Sequence, residues 1–161
     1  MSLIEFANQQ IEIKLYYKRV KTDSGQSQFV VLNDKDGEIE FNKQEEFIKQ
    51  KQENKEEITA EDREIEVLTT QWKVLSWGEQ NKITKRAEKY TPAGVKDIDY
   101  VEFRDLRIKT CLQGWDLKDA KGNLIPVTPE TIDMIPPKII FELIERYDVF
   151  TEGTEEGQEK N

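Results

Sequence analysis

Residues 114–147 read GWDLKDAKGNLIPVTPETIDMIPPKIIFELIERY, and the punctuation of this stretch decides how the C-terminal half folds. Gly114 reads as a helix stop. Asp116–Gly122 supplies turn chemistry through its Asp and Gly residues. Thr128-Pro129-Glu130 then opens a short helix, with threonine as N-cap and proline at the first helical position, where a missing amide hydrogen costs nothing. Pro136-Pro137 ends that helix and begins another. In the second helix Ile140, Leu143, Ile144 and Tyr147 recur at helical spacing as one apolar face.

Upstream, Ser76-Trp77-Gly78-Glu79 matches a capping box and predicts a helix from Trp77 to about Tyr90. Thr91-Pro92-Ala93-Gly94 breaks it. Asp97 precedes Ile98, Val101, Ile108 and Leu112, whose spacing predicts a further helix reaching Gly114 and turning Cys111 inward. The run Glu66–Trp77 fits a helix through Val67, Leu68, Trp72 and Leu75, and a strand through Trp72 and Val74, so the pattern leaves both open.

The N-terminal part differs in kind. Ile11, Ile13 and Leu15 alternate with polar residues, Thr22-Asp23-Ser24-Gly25 makes a turn, and Phe29-Val30-Val31-Leu32 is a second β-rich run. A second turn at Asn33–Gly37, followed by alternating Ile39 and Phe41, predicts a third strand. The expected fold is therefore α+β, a small N-terminal antiparallel β-meander followed by a mainly α-helical C-terminal domain. Lys43–Glu66 carries five basic and nine acidic residues with few apolar ones, which suits a charged linker or a solvated helix. The organisation read from the chain is a β-rich segment over 1–42, this charged stretch over 43–66, a helical domain over 67–150, and a disordered acidic tail over 151–161.

Composition narrows function mainly by exclusion. Of the 161 residues 36% are hydrophobic and 35% charged, with a formal charge of −9. That balance opposes non-specific attraction to nucleic acid or an anionic membrane, so neither is expected as a partner. Lys82, Lys85, Arg86 and Lys89 fall at helical spacing, for which a solvated helix face is the default reading. No histidine is present, which removes histidine-based acid–base chemistry, the Ser-His-Asp and Cys-His arrangements and the usual zinc sites. The single Cys111 allows no intramolecular disulfide. Neither a signal-peptide pattern nor a run of about 18 apolar residues occurs, and a cytosolic location is expected.

No motif supplies a reaction. Setting Gly37 or Gly122 at the fixed glycine of a calcium loop puts Leu32 or Leu117 at the first ligand position, so both loops are tight turns. The glycines form no phosphate-binding pattern, and no carboxylate pair stands out by spacing. The reading is therefore of a protein that is not an enzyme and has no cofactor or metal. Trp72, Trp77 and Trp115 are by default core residues. Trp115, beside a glycine at an element edge, is also a candidate binding anchor. The face Ile140, Leu143, Ile144 and Tyr147 is by default core and alternatively a partner-binding helix face.

Taken together, Trp72–Asn81, Gly114-Trp115-Asp116-Leu117, and Asp119, Gly122, Leu124, Pro126-Val127-Thr128, Glu130 and Ile132 before an apolar helix resemble small morphogenesis proteins of tailed bacteriophages, most of all the tail assembly chaperones. The resemblance covers about residues 66–150. It implies an acidic, mainly helical, non-catalytic protein of the host cytoplasm that keeps the tape-measure protein or tail subunits soluble during virion assembly. A baseplate, neck or capsid-associated subunit of the virion is the alternative, in which the N-terminal strands would extend a neighbour's sheet.

Overall fold

Alternation over Ile11, Ile13 and Leu15 produces a long strand, β1 (Gln10–Lys21), with these three side chains buried and the intervening ones exposed. In the computed structural model, which describes residues 1–152, β1 turns at Thr22–Gly25 into β2 (Ser27–Val31). The hairpin is antiparallel, pairing Tyr17 with Val31 and Lys21 with Ser27. Gly25 sits at φ +80°, the left-handed region that favours glycine.

The residues expected to form the meander's third strand are helical instead. Asn33 is an N-cap whose side chain accepts from the Asp36 amide at 2.8 Å, Asp34 and Asp36 lie in the first turn, and α2 runs over Asp34–Glu53. What looked like a turn is thus a helix start, because the same Asn and Asp side chains serve both. Gly37, Phe41 and Ile48 fall on one side of α2, with Gly37 and Ile48 buried. Phe41 meets the Tyr16 ring with centroids 5.8 Å apart. The first part of the stretch read as linker or solvated helix is therefore helix.

Beyond α2 the chain makes a short 3-10 turn (Ala60–Arg63), tied to α2 by Lys51, whose ammonium lies 2.9 Å from the Asp62 carboxylate. The stretch that fitted both helix and strand is β3 (Ile65–Lys73), in which Leu68, Thr70 and Trp72 are buried at period two. The four-stranded sheet has the order β2-β1-β3-β6, where β6 is Leu112–Trp115 and runs antiparallel to β3. Gly114 is accordingly a strand residue opposite Gln71, and the preceding helix ends earlier.

The remaining helices are α1 (Leu3–Phe6), α3 (Trp77–Arg86), α4 (Tyr100–Cys111), α5 (Pro129–Asp133) and α6 (Pro137–Glu152). α3 stops at the Ala87 C-cap, short of the expected Tyr90, because Glu88–Tyr90 (β4) pairs with Lys96–Ile98 (β5) in a two-stranded hairpin. α4 begins at Asp99, whose carboxylate accepts from the Val101 and Glu102 amides at 3.1 Å. The capped helix at Thr128 and the helix after Pro136-Pro137 form as the sequence indicates.

By contacts the chain divides into a unit of Met1–Ile13 with Thr70–Asn161 and a unit of Lys14–Thr69. The first holds α3–α6 and most of the apolar core. The second holds the β1–β2 hairpin and α2. Thr151 and Glu152 close α6, while the rest of the expected acidic tail lies outside the described residues.

Candidate partner-binding surface

Trp115 is committed to the interior. It is 7% exposed, and its indole N–H donates to the Ile125 carbonyl at 2.6 Å. Ile125 in turn donates its amide to the Leu117 carbonyl at 2.8 Å. Within the loop so closed, the Asp119 carboxylate accepts from the Lys121 and Asn123 amides at 2.8 and 2.9 Å. The Asn123 amide, then the Lys121 amide, hold its carboxyl below the usual range. The Trp-Asp, Gly and Leu-x-Pro order is therefore the framework of one loop.

Leu143 and Tyr147 are buried, with Ile139 completing the inward line of α6, whereas Ile140 and Ile144 are half-buried flanks. The apolar face expected from the sequence is thus rotated by about one residue. Tyr147 packs on Trp72, ring centroids 5.1 Å apart, and its hydroxyl donates to the Lys73 carbonyl at 2.9 Å. The Arg107 guanidinium lies 5.2 Å from the Tyr147 centroid and is paired with Asp148. Trp72 donates to the Thr70 hydroxyl at 2.7 Å, and Thr70 donates to the Ile13 carbonyl at 2.7 Å. Among the described residues no buried side-chain N or O lacks a hydrogen-bond partner. Burial pushes the Tyr147 hydroxyl and the Cys111 thiol up from their ordinary values.

Among the surface clefts of this unit are two with largely apolar walls. The first, about 220 Å³, lies among α4, α5 and the start of α6, and is lined by Val101, Ile108, Ile132, Ile135, Ile140 and Phe141. Its rim is charged. The Arg104 guanidinium lies 4.6 Å from the Phe141 centroid, and Lys109 bridges Asp133 at 2.8 Å and Asp105 at 3.0 Å. Those two carboxylates, Asp133 first, raise the Lys109 ammonium above its ordinary value.

The second cleft, about 320 Å³, is lined by Phe6, Val74, Leu75, Trp77, Tyr147 and neighbours. Trp77, one of its walls, is 80% exposed. Its position follows from the capping box: the Ser76 side chain accepts from the Glu79 amide at 3.3 Å, and the Glu79 carboxylate accepts from the Ser76 amide at 3.0 Å. The residue between them at the first helical position projects outward. Lys73 also pairs with Glu79, and that bond, then the Ser76 amide, keeps the Glu79 carboxyl below its ordinary value.

Of the five side chains nominated from sequence, Ile140 lines the first cleft beside the exposed Phe141 and Val101, Tyr147 lines the second beside Trp77, and neither cleft is lined by Trp115, Leu143 or Ile144. Trp77, by default a core residue in the sequence, is instead 80% exposed, and neither it nor Phe141 was among the residues nominated from sequence. The available signals were the cap position for Trp77 and, for Phe141, an aromatic lying off the stripe of its own helix. Among the described residues no group of three or more His, Cys, Asp or Glu could hold a metal ion, and no helix is long and apolar enough to cross a membrane. No protein-family model, curated protein or solved structure matches the chain.

Proposed function

We propose that this chain is a non-catalytic protein-binding module of tailed-phage assembly, acting as a tail assembly chaperone that masks apolar segments of the tape-measure protein or of tail subunits. The supporting observation is the cleft of Val101, Ile135, Ile140 and Phe141, an apolar strip with a charged rim on the α4–α6 face. At about 220 Å³ it is below the range of about 300–1,000 Å³ of small-molecule pockets. It suits apolar side chains presented by a partner helix, the helix-in-groove mode. The charge of −9 adds like-charge repulsion that keeps loaded complexes apart. The resemblance of residues 66–150 supplies the biological setting, and the loop around Trp115 accounts for its pattern structurally.

The test uses the full chain as bait in infected cells, beside mass spectrometry of purified particles. Recovery of the tape-measure protein or a tail subunit, lost with Phe141→Asp and with Val101→Asp in proteins that remain folded, and absence of the chain from particles are the expected results. A fixed copy number in particles would replace the chaperone by a structural subunit of the virion.

A further inference from the structure

Helix α1 is held in shape although none of its residues is buried. The Ser2 hydroxyl accepts from the Glu5 amide at 3.2 Å and the Glu5 carboxylate accepts from the Ser2 amide at 2.5 Å, a complete capping box on a helix of four residues. This helix presents Leu3 at 90% and Ile4 at 78% exposure. Its Phe6, with Ala7 after it, forms one wall of the cleft that also holds Val74, Leu75 and Trp77. Leu3 and Phe6, like Ile4 and Ala7, are three positions apart and so neighbours on the helix surface. The exposed apolar surface therefore runs from α1 across the cleft to the Trp77 indole.

This surface combines a receiving part with a protruding part. The cleft, at about 320 Å³, is about twice the cavity of about 150 Å³ that holds a benzene molecule, so it has room for two aliphatic side chains. Leu3 and Ile4 stand beside it and, at their exposure, do not fill it. We propose that a second copy of the chain covers this face, in a two-fold pair in which α1 of each copy enters the Trp77 cleft of the other. Two-fold pairing uses the same patch on both copies and so requires a self-complementary surface. An unrelated partner would have to supply both a knob for the cleft and a groove for Leu3 and Ile4, whereas a second copy carries both.

The area is that of a small dimer. The Trp77 indole and the exposed part of the Phe6 ring offer about 250 Å² together, and Leu3 and Ile4 about 100 Å² each. The sum of about 450 Å² is of the size at which an exposed patch marks an interaction site. At the roughly 65% apolar share of a homodimer interface, it corresponds to about 700 Å² per copy. The pair then buries about 1,400 Å², inside the range of about 1,200–2,000 Å² for specific interfaces. The two charged residues lining the cleft, Arg107 and Glu152, are of opposite sign, so the face itself does not repel its copy. The charge of −9 on each whole chain does, and salt, by screening it, strengthens the pair. Because no residue of α1 is buried, the fold does not depend on this contact and the dilute chain is a folded monomer.

Sedimentation velocity of the full chain from about 1 µM to about 1 mM should show a monomer giving way to a dimer, with more dimer at about 1 M salt. Ile4→Asp and Trp77→Asp, on separate elements, should each weaken the pair at least about 10-fold. Val95→Asp, at an exposed aliphatic position in the turn between β4 and β5, should sediment like the parent. Circular dichroism at the lowest concentration checks that the variants are folded. A mixing experiment needs no disruptive variant: a nitroxide on Ile4→Cys, with the buried Cys111 shielded from labelling, should broaden the Trp77–Gln80 amides of a separate isotope-labelled copy. A monomer at every concentration, a dimer indifferent to both aspartates or loosened by salt, or no broadening of those amides between copies would overturn the proposal. So would a monomeric chain that loses capture of a tail protein with Trp77→Asp, since the face would then belong to that partner. The sedimentation result is independent of whether the chain binds a tail protein.

Discussion

Tyr147 lies across the Trp72 ring at 5.1 Å between centroids and, from the same ring, donates its hydroxyl to the carbonyl of Lys73 at 2.9 Å. One side chain of α6 thus satisfies both the apolar and the polar demands of strand β3 at its end. The two demands can be separated. Tyr147→Phe keeps the ring contact and strands a carbonyl, so it should cost about 1–3 kcal/mol. Tyr147→Ala removes the ring as well and should cost about 3–5 kcal/mol. Urea denaturation followed by tryptophan fluorescence measures both, and equal losses would show that the ring contributes nothing.

Gly37 and Gly78 both occupy helices, and alanine should act on them in opposite directions. A Cβ at Gly37 would fall 2.5 Å from the Tyr16 Cβ, closer than such atoms approach. Overpacking of that kind costs about 1–3 kcal/mol, outweighing the gain of up to about 1 kcal/mol in helix propensity. A Cβ at Gly78 meets nothing within 4 Å, so Gly78→Ala should be neutral or stabilise by up to about 1 kcal/mol. Midpoints of chemical denaturation decide the signs.

Trp77 and Trp115 should separate binding from folding. Trp115→Ala opens a cavity and frees the Ile125 carbonyl, with an expected loss of about 3–5 kcal/mol. Trp77→Ala, at a position 80% exposed, should stay within about 0.5 kcal/mol of the parent. If the cleft beside it also receives a partner, the same variant weakens capture. A drop in melting temperature for Trp77→Ala comparable to that of Trp115→Ala would contradict this placement.

Glu79 makes the stability of α3 depend on pH in a defined direction. Its folded-state value is depressed, chiefly by the Lys73 ammonium and then by the Ser76 amide. A depressed carboxyl contributes stability above its unfolded value of 4.5 and loses that contribution as pH falls through the lower folded value. The stability gap between the parent and Glu79→Gln should therefore be constant near neutrality and shrink below the ordinary carboxylate range. A gap that widened on acidification would reverse the sign of the coupling.

Cys111 is fully buried and its thiol is pushed up by that burial. Since the thiolate is the reactive form, an aromatic disulfide reagent should label the native protein only as fast as it opens. Denaturant should bring labelling to completion at once. Fast native labelling would place the thiol at the surface.

Legibility in the sequence followed the range of the interactions. The β1–β2 hairpin, the Ser76 and Thr128 caps and the break at Pro136-Pro137 depend on residues within a few positions of one another. Each was readable because the stereochemistry that forms it is local. Asn33–Gly37 misled for the same reason in reverse: Asn and Asp side chains bond nearby amides in turns and in caps alike. The helix buries Gly37 against Tyr16, twenty-one positions away, a contact that no local pattern records.

The sequence by itself determined the α+β class, the terminators of its elements and the exclusion of histidine chemistry, since these rest on composition and on contacts a few residues long. Tertiary structure alone decided that Trp115 is inside. Trp115 and Trp77 are chemically identical and both stand at element edges, but β6 pairs with β3 and turns the first onto Ile125, while the cap at Ser76 turns the second to solvent. The cap that exposes Trp77 is local, whereas the fate of Trp115 is set by what long-range packing brings opposite it, and no local pattern carries that information.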